Sequence, residues 1–287
     1  MDIGVVFPQT EIGDDPAVIR DWAQTAEGLG YSHILAFDHV LGAVHEGREP
    51  RLTGPYTEKT MFHEPFVLFS WMAGFTTRIG FTTGVIILPQ RQTALVAKQA
   101  ADLDNLSGQR LRLGVGTGWN YVEYEALNEN YKNRGRRQEE QIALLRKLWS
   151  EPVVDYTGKY HRVDRAGLAP MPKRQIPIWM GGFTDKAWER AARVADGFIF
   201  GGGAAGLAGW EKVKGLLAAN GRDRKSFGAE GMVAYDAAGG DAWRGHVQAW
   251  RDAGATHASM ISMNTGLAAP KDHIAMLKTC MDAVKAD

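Results

Sequence analysis

The sequence predicts a (β/α)8 TIM barrel, and three observations carry that prediction. Short apolar runs alternate with segments of helical period, the alternation repeats through eight pairs, and no linker, charge run or low-complexity tract divides the 287 residues. Strands this apolar, each returned by a helix, belong in a parallel sheet covered by helices, and eight units favour closure. Such barrels run to about 250 residues as one unit, so a single domain over residues 1–287 is expected. An open doubly wound sheet usually has fewer units and a glycine-rich phosphate turn after its first strand. Here that turn reads Phe7-Pro8-Gln9-Thr10.

Residues 3–7 form the first apolar run. Pro16 opens a stretch with Ile19, Trp22, Ala23, Ala26 and Leu29 at helical spacing, and Gly30 is placed to end it in a left-handed cap. A second strand is predicted at 34–37, a helix at 65–76, a strand within 79–88, a helix at 92–106 and a strand at 111–115. After Asn133 a helix carries Ile142, Leu145, Leu148 and Trp149 on one face until Glu151-Pro152 stops it. Residues 156–160 read as a small hairpin. Strands then follow at 176–180, 197–200, 231–235 and 258–262, with helices at 184–195, around 210–218, at 242–253 and at 272–284. Two segments, 40–64 and 119–133, exceed ordinary loop length, and long barrel loops commonly build or cover the site.

Composition narrows the partners. Lys plus Arg equals Asp plus Glu at 33 each, so no global field favours nucleic acid or an anionic membrane. The single cysteine, Cys280, cannot form an internal disulfide, the start of the chain lacks a basic segment followed by an apolar one, and no apolar stretch approaches the roughly 18 residues of a membrane span. A cytoplasmic protein acting on a small molecule is the expectation.

In a barrel the residues just past the strand C-termini face the active site. The second strand ends in Asp38-His39, where the imidazole can serve as acid, base or hydrogen-bond donor and the carboxylate can tune it; a capping Asp and a surface His are the bland alternative. The fourth strand runs into Gly114-Val115-Gly116-Thr117-Gly118, which brings bare backbone close to a planar or anionic group or simply makes a tight exit. No Rossmann fingerprint or P-loop is completed there. The fifth strand gives Met180-Gly181-Gly182-Phe183-Thr184-Asp185 before a helix, a pattern that can hold a phosphate on free N–H groups, unless Thr184 or Asp185 caps the helix itself. Gly201-Gly202-Gly203 after the sixth strand can widen that cradle or form a turn. Phe7, Gln9, His63, Trp119, Tyr121 and Tyr124 are candidate substrate contacts or lid packing. Arg134, Arg136 and Arg137 read as a solvated face or as partners of Glu139 and Glu140. No histidine spacing marks a metal site, and no Ser or Cys stands in a nucleophile motif.

Taken together, these pieces resemble the luciferase-like monooxygenase superfamily, particularly its branch of coenzyme F420-dependent oxidoreductases. The likeness runs through Leu29-Gly30-Tyr31, Phe37-Asp38-His39-Val40, Thr83-Gly84-Val85, Leu88-Pro89, Ala97-Lys98-Gln99, Leu106-Ser107-Gly108 and the stretch from Leu113 to Trp119. It continues in Glu125-Ala126-Leu127, Arg134-Gly135-Arg136-Arg137, Ile178-Trp179-Met180-Gly181-Gly182 and Ala191-Ala192 to Ala195-Asp196-Gly197. The resemblance implies a bacterial luciferase-like barrel with reduced FMN or F420 across the ends of strands 2 to 4. It places His39 at the reactive ring centre as the catalytic residue, with Asp38 beside it, and Gly84-Val85 as a cis step behind the ring. It also places Gly116, Thr117 and Gly118 against the ring or its side chain, and Gly181, Gly182, Phe183 and Thr184 around the phosphate. Two departures stand out. Trp119 replaces the glutamate that follows Gly-Thr-Gly in the sugar-phosphate dehydrogenases of that branch, and Phe183 stands where relatives have a smaller or polar residue.

The leading expectation is therefore hydride transfer between F420 and a small organic substrate. The alternatives are a two-component monooxygenase, in which FMNH2 from a separate reductase reacts with O2, and a non-catalytic flavin-binding protein. A homodimer is the implied assembly.

Overall fold

A computed structural model describes residues 1–236 and 240–285. Among these residues, β1 (Asp2–Val6), β2 (His33–Ala36), β3 (Gly80–Thr83), β4 (Leu111–Gly116), β5 (Ile178–Gly181), β6 (Gly197–Phe200), β7 (Gly228–Ala234) and β8 (His257–Ile261) pair in parallel and in chain order. β8 closes onto β1 through Asp2↔His257 to Val5↔Met260, so the sheet has no free edge. This is the predicted (β/α)8 TIM barrel. Ile86–Ile87 resumes pairing with β4 after β3.

Around it lie α1 (Pro16–Leu29), α2 (Pro65–Ala73), α3 (Thr93–Leu106), a short α4 (Tyr121–Ala126), α5 (Arg134–Leu148), α6 (Asp185–Val194), α7 (Gly203–Ala219), α8 (Gly240–Asp252) and α9 (Pro270–Lys285). Local chemistry sets their ends. Asp15 caps α1 before Pro16, Glu64 caps α2 before Pro65, and Gly30 ends α1 in the left-handed region. An antiparallel hairpin, Val154–Thr157 with Arg162–Ala166, follows α5 where a small hairpin was expected. None of the described helices is long and apolar enough to cross a membrane.

Two expectations are corrected. The helix expected around 210–218 begins seven residues earlier, at Gly203. Its glycines permit close packing: a Cβ on Gly206 would meet the Gly201 carbonyl oxygen at 1.9 Å, and one on Gly209 would meet Trp188 at 2.9 Å. Likewise 119–133 is not a bare loop, because it contains α4.

Strand alternation sorts the core into an outer layer under the helices and an interior with two levels. The lower level is polar. His33, Arg112, Glu230 and Ser259 interlock there, and Arg112 lies 4.1 Å from the centroid of the Trp179 ring. Gly197 and Gly228 leave space for that indole, since a Cβ on either would come within 2.4 Å of it. The upper level, toward the mouth, is apolar, with Val6, Leu35, Ile199 and Met263 buried.

Candidate active site

Above that apolar level, Phe37, Val85 and Ile261 are only partly covered and form the floor of the mouth. The Gly84-Val85 peptide is cis. Val85 lies between two bare strand ends: a Cβ on Gly116 would fall 2.4 Å from its Cγ2, and one on Gly181 would fall 2.9 Å from its Cγ1. The Val85 side chain thus fills the space that the missing Cβ atoms of the buried Gly116 and the half-buried Gly181 leave.

His39 stands two residues beyond Phe37. Its Nδ1 lies 3.1 Å from Glu123 Oε1, and its ring is packed by Tyr56 and Phe62 at centroid distances of 4.8 and 4.9 Å and by Trp119 at 5.5 Å. Beside it a cavity of about 70 Å³ is lined in part by Tyr56, Thr57, Thr60 and Phe62. The segment 40–64 folds over this place. Asn120 Nδ2 donates to the Leu41 carbonyl at 3.2 Å, Tyr121 Oη donates to the Pro50 carbonyl at 2.6 Å, and Gly54 is closed against the Trp119 indole. Burial pushes the Tyr56 phenol above its ordinary range, so it faces His39 uncharged.

The carboxylate next in sequence does not serve His39, which corrects the expectation that Asp38 tunes the imidazole. Asp38 is buried, its Oδ2 accepts from Ile87 N at 3.0 Å and its Oδ1 pairs with Arg91 at 2.8 Å. Arg91 also reaches Glu64 at 2.8 Å. Asp38 thereby fixes the backbone just after the cis step, close to the floor.

The other candidates separate. Phe7 is fully buried in the outer core, edge-on to Trp22 with centroids 5.3 Å apart, and so points away from the mouth. Gln9 is also fully buried. Its amide bridges β1 and β2, donating to the Phe37 carbonyl at 2.9 Å and accepting from Phe37 N at 2.8 Å. Tyr124 is buried and its hydroxyl donates to the Thr117 carbonyl at 2.7 Å, bracing the Gly116-Thr117-Gly118 exit. Trp119 and Tyr121 hold the covering loop. His63 is half-buried with Nε2 lacking a hydrogen-bond partner among the described residues.

Around β5, Thr184 caps α6 by accepting from Ala187 N at 3.3 Å, so part of the proposed cradle is already satisfied. Asp185 in the first turn is exposed and pairs with Lys212 at 2.9 Å. The first turn of α7 has only Gly202 before it and no side-chain cap. Phe183 is 81% exposed, and Gly201 leaves room for its ring. In α5, Arg137 pairs with Glu129 rather than with Glu139 or Glu140. Glu139 takes Arg190 and Arg193, each at 3.0 Å, and Glu140 takes His161 at 2.8 Å.

Glu123, Tyr56 and Phe62 were not singled out from the sequence. Asn120-x-x-Glu123 has the spacing of a capping box, and that signal marks α4. In the structure Asn120 does cap, accepting from Val122 N at 3.1 Å, while Glu123 turns instead to His39 and to the backbone of Val40 and Leu41.

A family model described as luciferase-like monooxygenase matches residues 1–277. An uncharacterised protein of Mycobacterium tuberculosis (strain ATCC 25618 / H37Rv) is 36% identical over 185 residues, covering 63% of this chain and 64% of that protein. An F420-dependent hydroxymycolic acid dehydrogenase of the same organism is 32% identical over 201 residues, covering 69% and 52%. An FMNH(2)-dependent dimethylsulfone monooxygenase of Pseudomonas fluorescens (strain Pf0-1) is 30% identical over 186 residues, covering 64% and 47%. The matches thus span between about half and two thirds of these relatives' lengths.

Proposed function

The chain belongs to the luciferase-like monooxygenase family, and on that premise we propose that this oxidoreductase uses F420 to transfer a hydride to or from a small organic substrate at the barrel mouth. The observation that carries this reading is an imidazole, His39, held by a carboxylate and packed by aromatic rings beside an apolar floor. The partly covered apolar floor of Phe37, Val85 and Ile261 would take one face of a planar tricyclic ring. Backbone N–H groups from Gly181 to Thr184 and at the start of α7 would hold its phosphate. When bound, a deazaflavin supplies the hydride chemistry. His39 accepts the proton of the substrate hydroxyl when hydride leaves the adjoining carbon and returns it to the oxygen when hydride arrives. Trp119, Tyr56 and Phe62, with the covering loop, exclude water from that proton. The F420-dependent relative supports this choice of cofactor. The FMNH(2)-dependent relative supports a second reading, a monooxygenase that takes O2 and receives reduced FMN from a separate reductase.

An anaerobic titration of the purified protein with F420 and FMN, each in both redox states, separates these readings. Tight F420 and weak FMN binding is the expected result. The reverse preference favours the monooxygenase, and failure of both cofactors to bind removes the assignment.

The phosphate cradle has its own test. Gly182 has φ +154°, and a Cβ there would meet that of Ala187 at 3.0 Å, so Gly182→Ala serves as the control for backbone and packing effects. Gly182→Glu adds a negative charge beside the phosphate and is expected to weaken binding on the order of tenfold beyond the alanine variant, about 1.4 kcal/mol. Equal affinities in the two variants would remove the cradle.

A further inference from the structure

We propose that Glu123 is a positioning residue that holds His39 in the Nδ1–H tautomer and leaves Nε2 to face the reacting atoms. The inference rests on the reading of His39 as the acid/base group and adds the residue that sets its orientation.

Glu123 is buried, its side chain 1% exposed. Its Oε1 receives Val40 N at 2.8 Å, Leu41 N at 3.0 Å and His39 Nδ1 at 3.1 Å, while Oε2 receives Gln90 Nε2 at 3.2 Å. Two of these four donors are backbone N–H groups, which cannot reverse roles. Burial alone would raise the carboxyl above its ordinary range, but the hydrogen bonds outweigh burial and hold it below. An ionised carboxylate only accepts, so the contact at 3.1 Å requires the hydrogen to sit on Nδ1. In the neutral ring Nε2 is then the lone-pair nitrogen, and no hydrogen bond from the described residues engages it.

The groups packed against the ring do not compete for this role. Tyr56 and Phe62 come from the 40–64 segment and Trp119 from the exit of β4. Asp38 is held by Arg91 and Ile87. Because the oxygen that holds Nδ1 also holds Val40 and Leu41, one carboxylate fixes both the imidazole and the first two residues of the covering loop. Partners that orient a metal-ligating histidine account for roughly 10- to 100-fold in affinity or activity, and that sets the scale expected of a carboxylate that orients His39.

The test joins spectroscopy of the protein without added cofactor to kinetics. With ¹⁵N-labelled histidine, and His39→Gln to assign the resonance, long-range ¹H–¹⁵N spectra of the neutral ring are expected to show Nδ1 protonated in the wild type. In Glu123→Gln the amide oxygen, fixed toward Val40 N and Leu41 N, still accepts from Nδ1 and is expected to keep the tautomer, whereas Glu123→Leu removes the acceptor and is expected to lose it. Turnover of Glu123→Leu is expected to fall about 10- to 100-fold while KM changes little. An Nε2–H tautomer in the wild type overturns the proposal, whether or not the variant folds. Unchanged turnover in a folded Glu123→Leu also overturns it. Failure of the His39 reading is recognised separately, by unchanged turnover in His39→Ala together with an intact Nδ1–H signal in the wild type.

Discussion

His39→Ala is expected to leave folding and cofactor affinity intact while lowering turnover on the order of 10² to 10⁴, the range for removal of a placed acid/base group. That span corresponds to about 3 to 5 kcal/mol of transition-state stabilisation. Folding should survive because His39 lies beyond the end of β2 and takes no part in the barrel pairings. Cofactor affinity should survive because the floor of Phe37, Val85 and Ile261 is untouched. Circular dichroism and the anaerobic titration check those two conditions, and steady-state kinetics on any substrate that turns over checks the third. A fall in kcat/KM carried by KM alone would recast His39 as a binding group. Unchanged kinetics would remove it from the chemistry.

Much of the barrel was legible because its strands are short apolar runs bounded by glycine and charged residues. The run at 197–200 coincides with β6, and Pro16 and Gly30 mark the ends of α1. What escaped has a common cause. The first turns of α7 read as a turn because Gly202, Gly203, Gly206 and Gly209 lower helix propensity, yet packing against the β6 exit and Trp188 decides the conformation there.

The site divides along similar lines. His39 was found because a strand end in a barrel faces the mouth, a rule of position within one unit. Its carboxylate partner was not, because it comes from another unit 84 residues away. Proximity in sequence pointed to Asp38 instead. Neighbours on extended backbone project to opposite sides, and so Asp38 turns to Arg91 while His39 turns to Glu123. Phe7 misled for a related reason: its alternation with Val6 puts Val6 inside the barrel and Phe7 beneath α1.

The largest effect on stability is expected at the opposite end of the barrel, where Glu230→Leu should destabilise the protein by about 3 to 5 kcal/mol, the range for breaking a buried ion pair on one side. Glu230 is fully buried, with Arg112 Nη2 at 2.5 Å from one oxygen and His33 Nε2 at 2.7 Å from the other, and Ser259 Oγ also donates to it. Burial alone would raise the carboxyl, but Arg112 and His33 outweigh it and hold Glu230 well below the usual carboxylate range. Burial also holds His33 below its ordinary value. Both groups therefore bind protons more weakly folded than unfolded. The unfolded chain takes up more protons in acid, so stability is retained above the ordinary ranges and declines as pH falls through and below them. Leucine leaves Arg112 buried over Trp179 without its counter-charge. Glu230→Leu with Arg112→Met removes both charges and should be less destabilised than the sum of the single variants, because the two side chains touch. Urea unfolding at neutral and mildly acidic pH measures both quantities. A loss under about 1 kcal/mol in Glu230→Leu, or strict additivity in the double variant, would mean that the cluster at the base does not hold the barrel together.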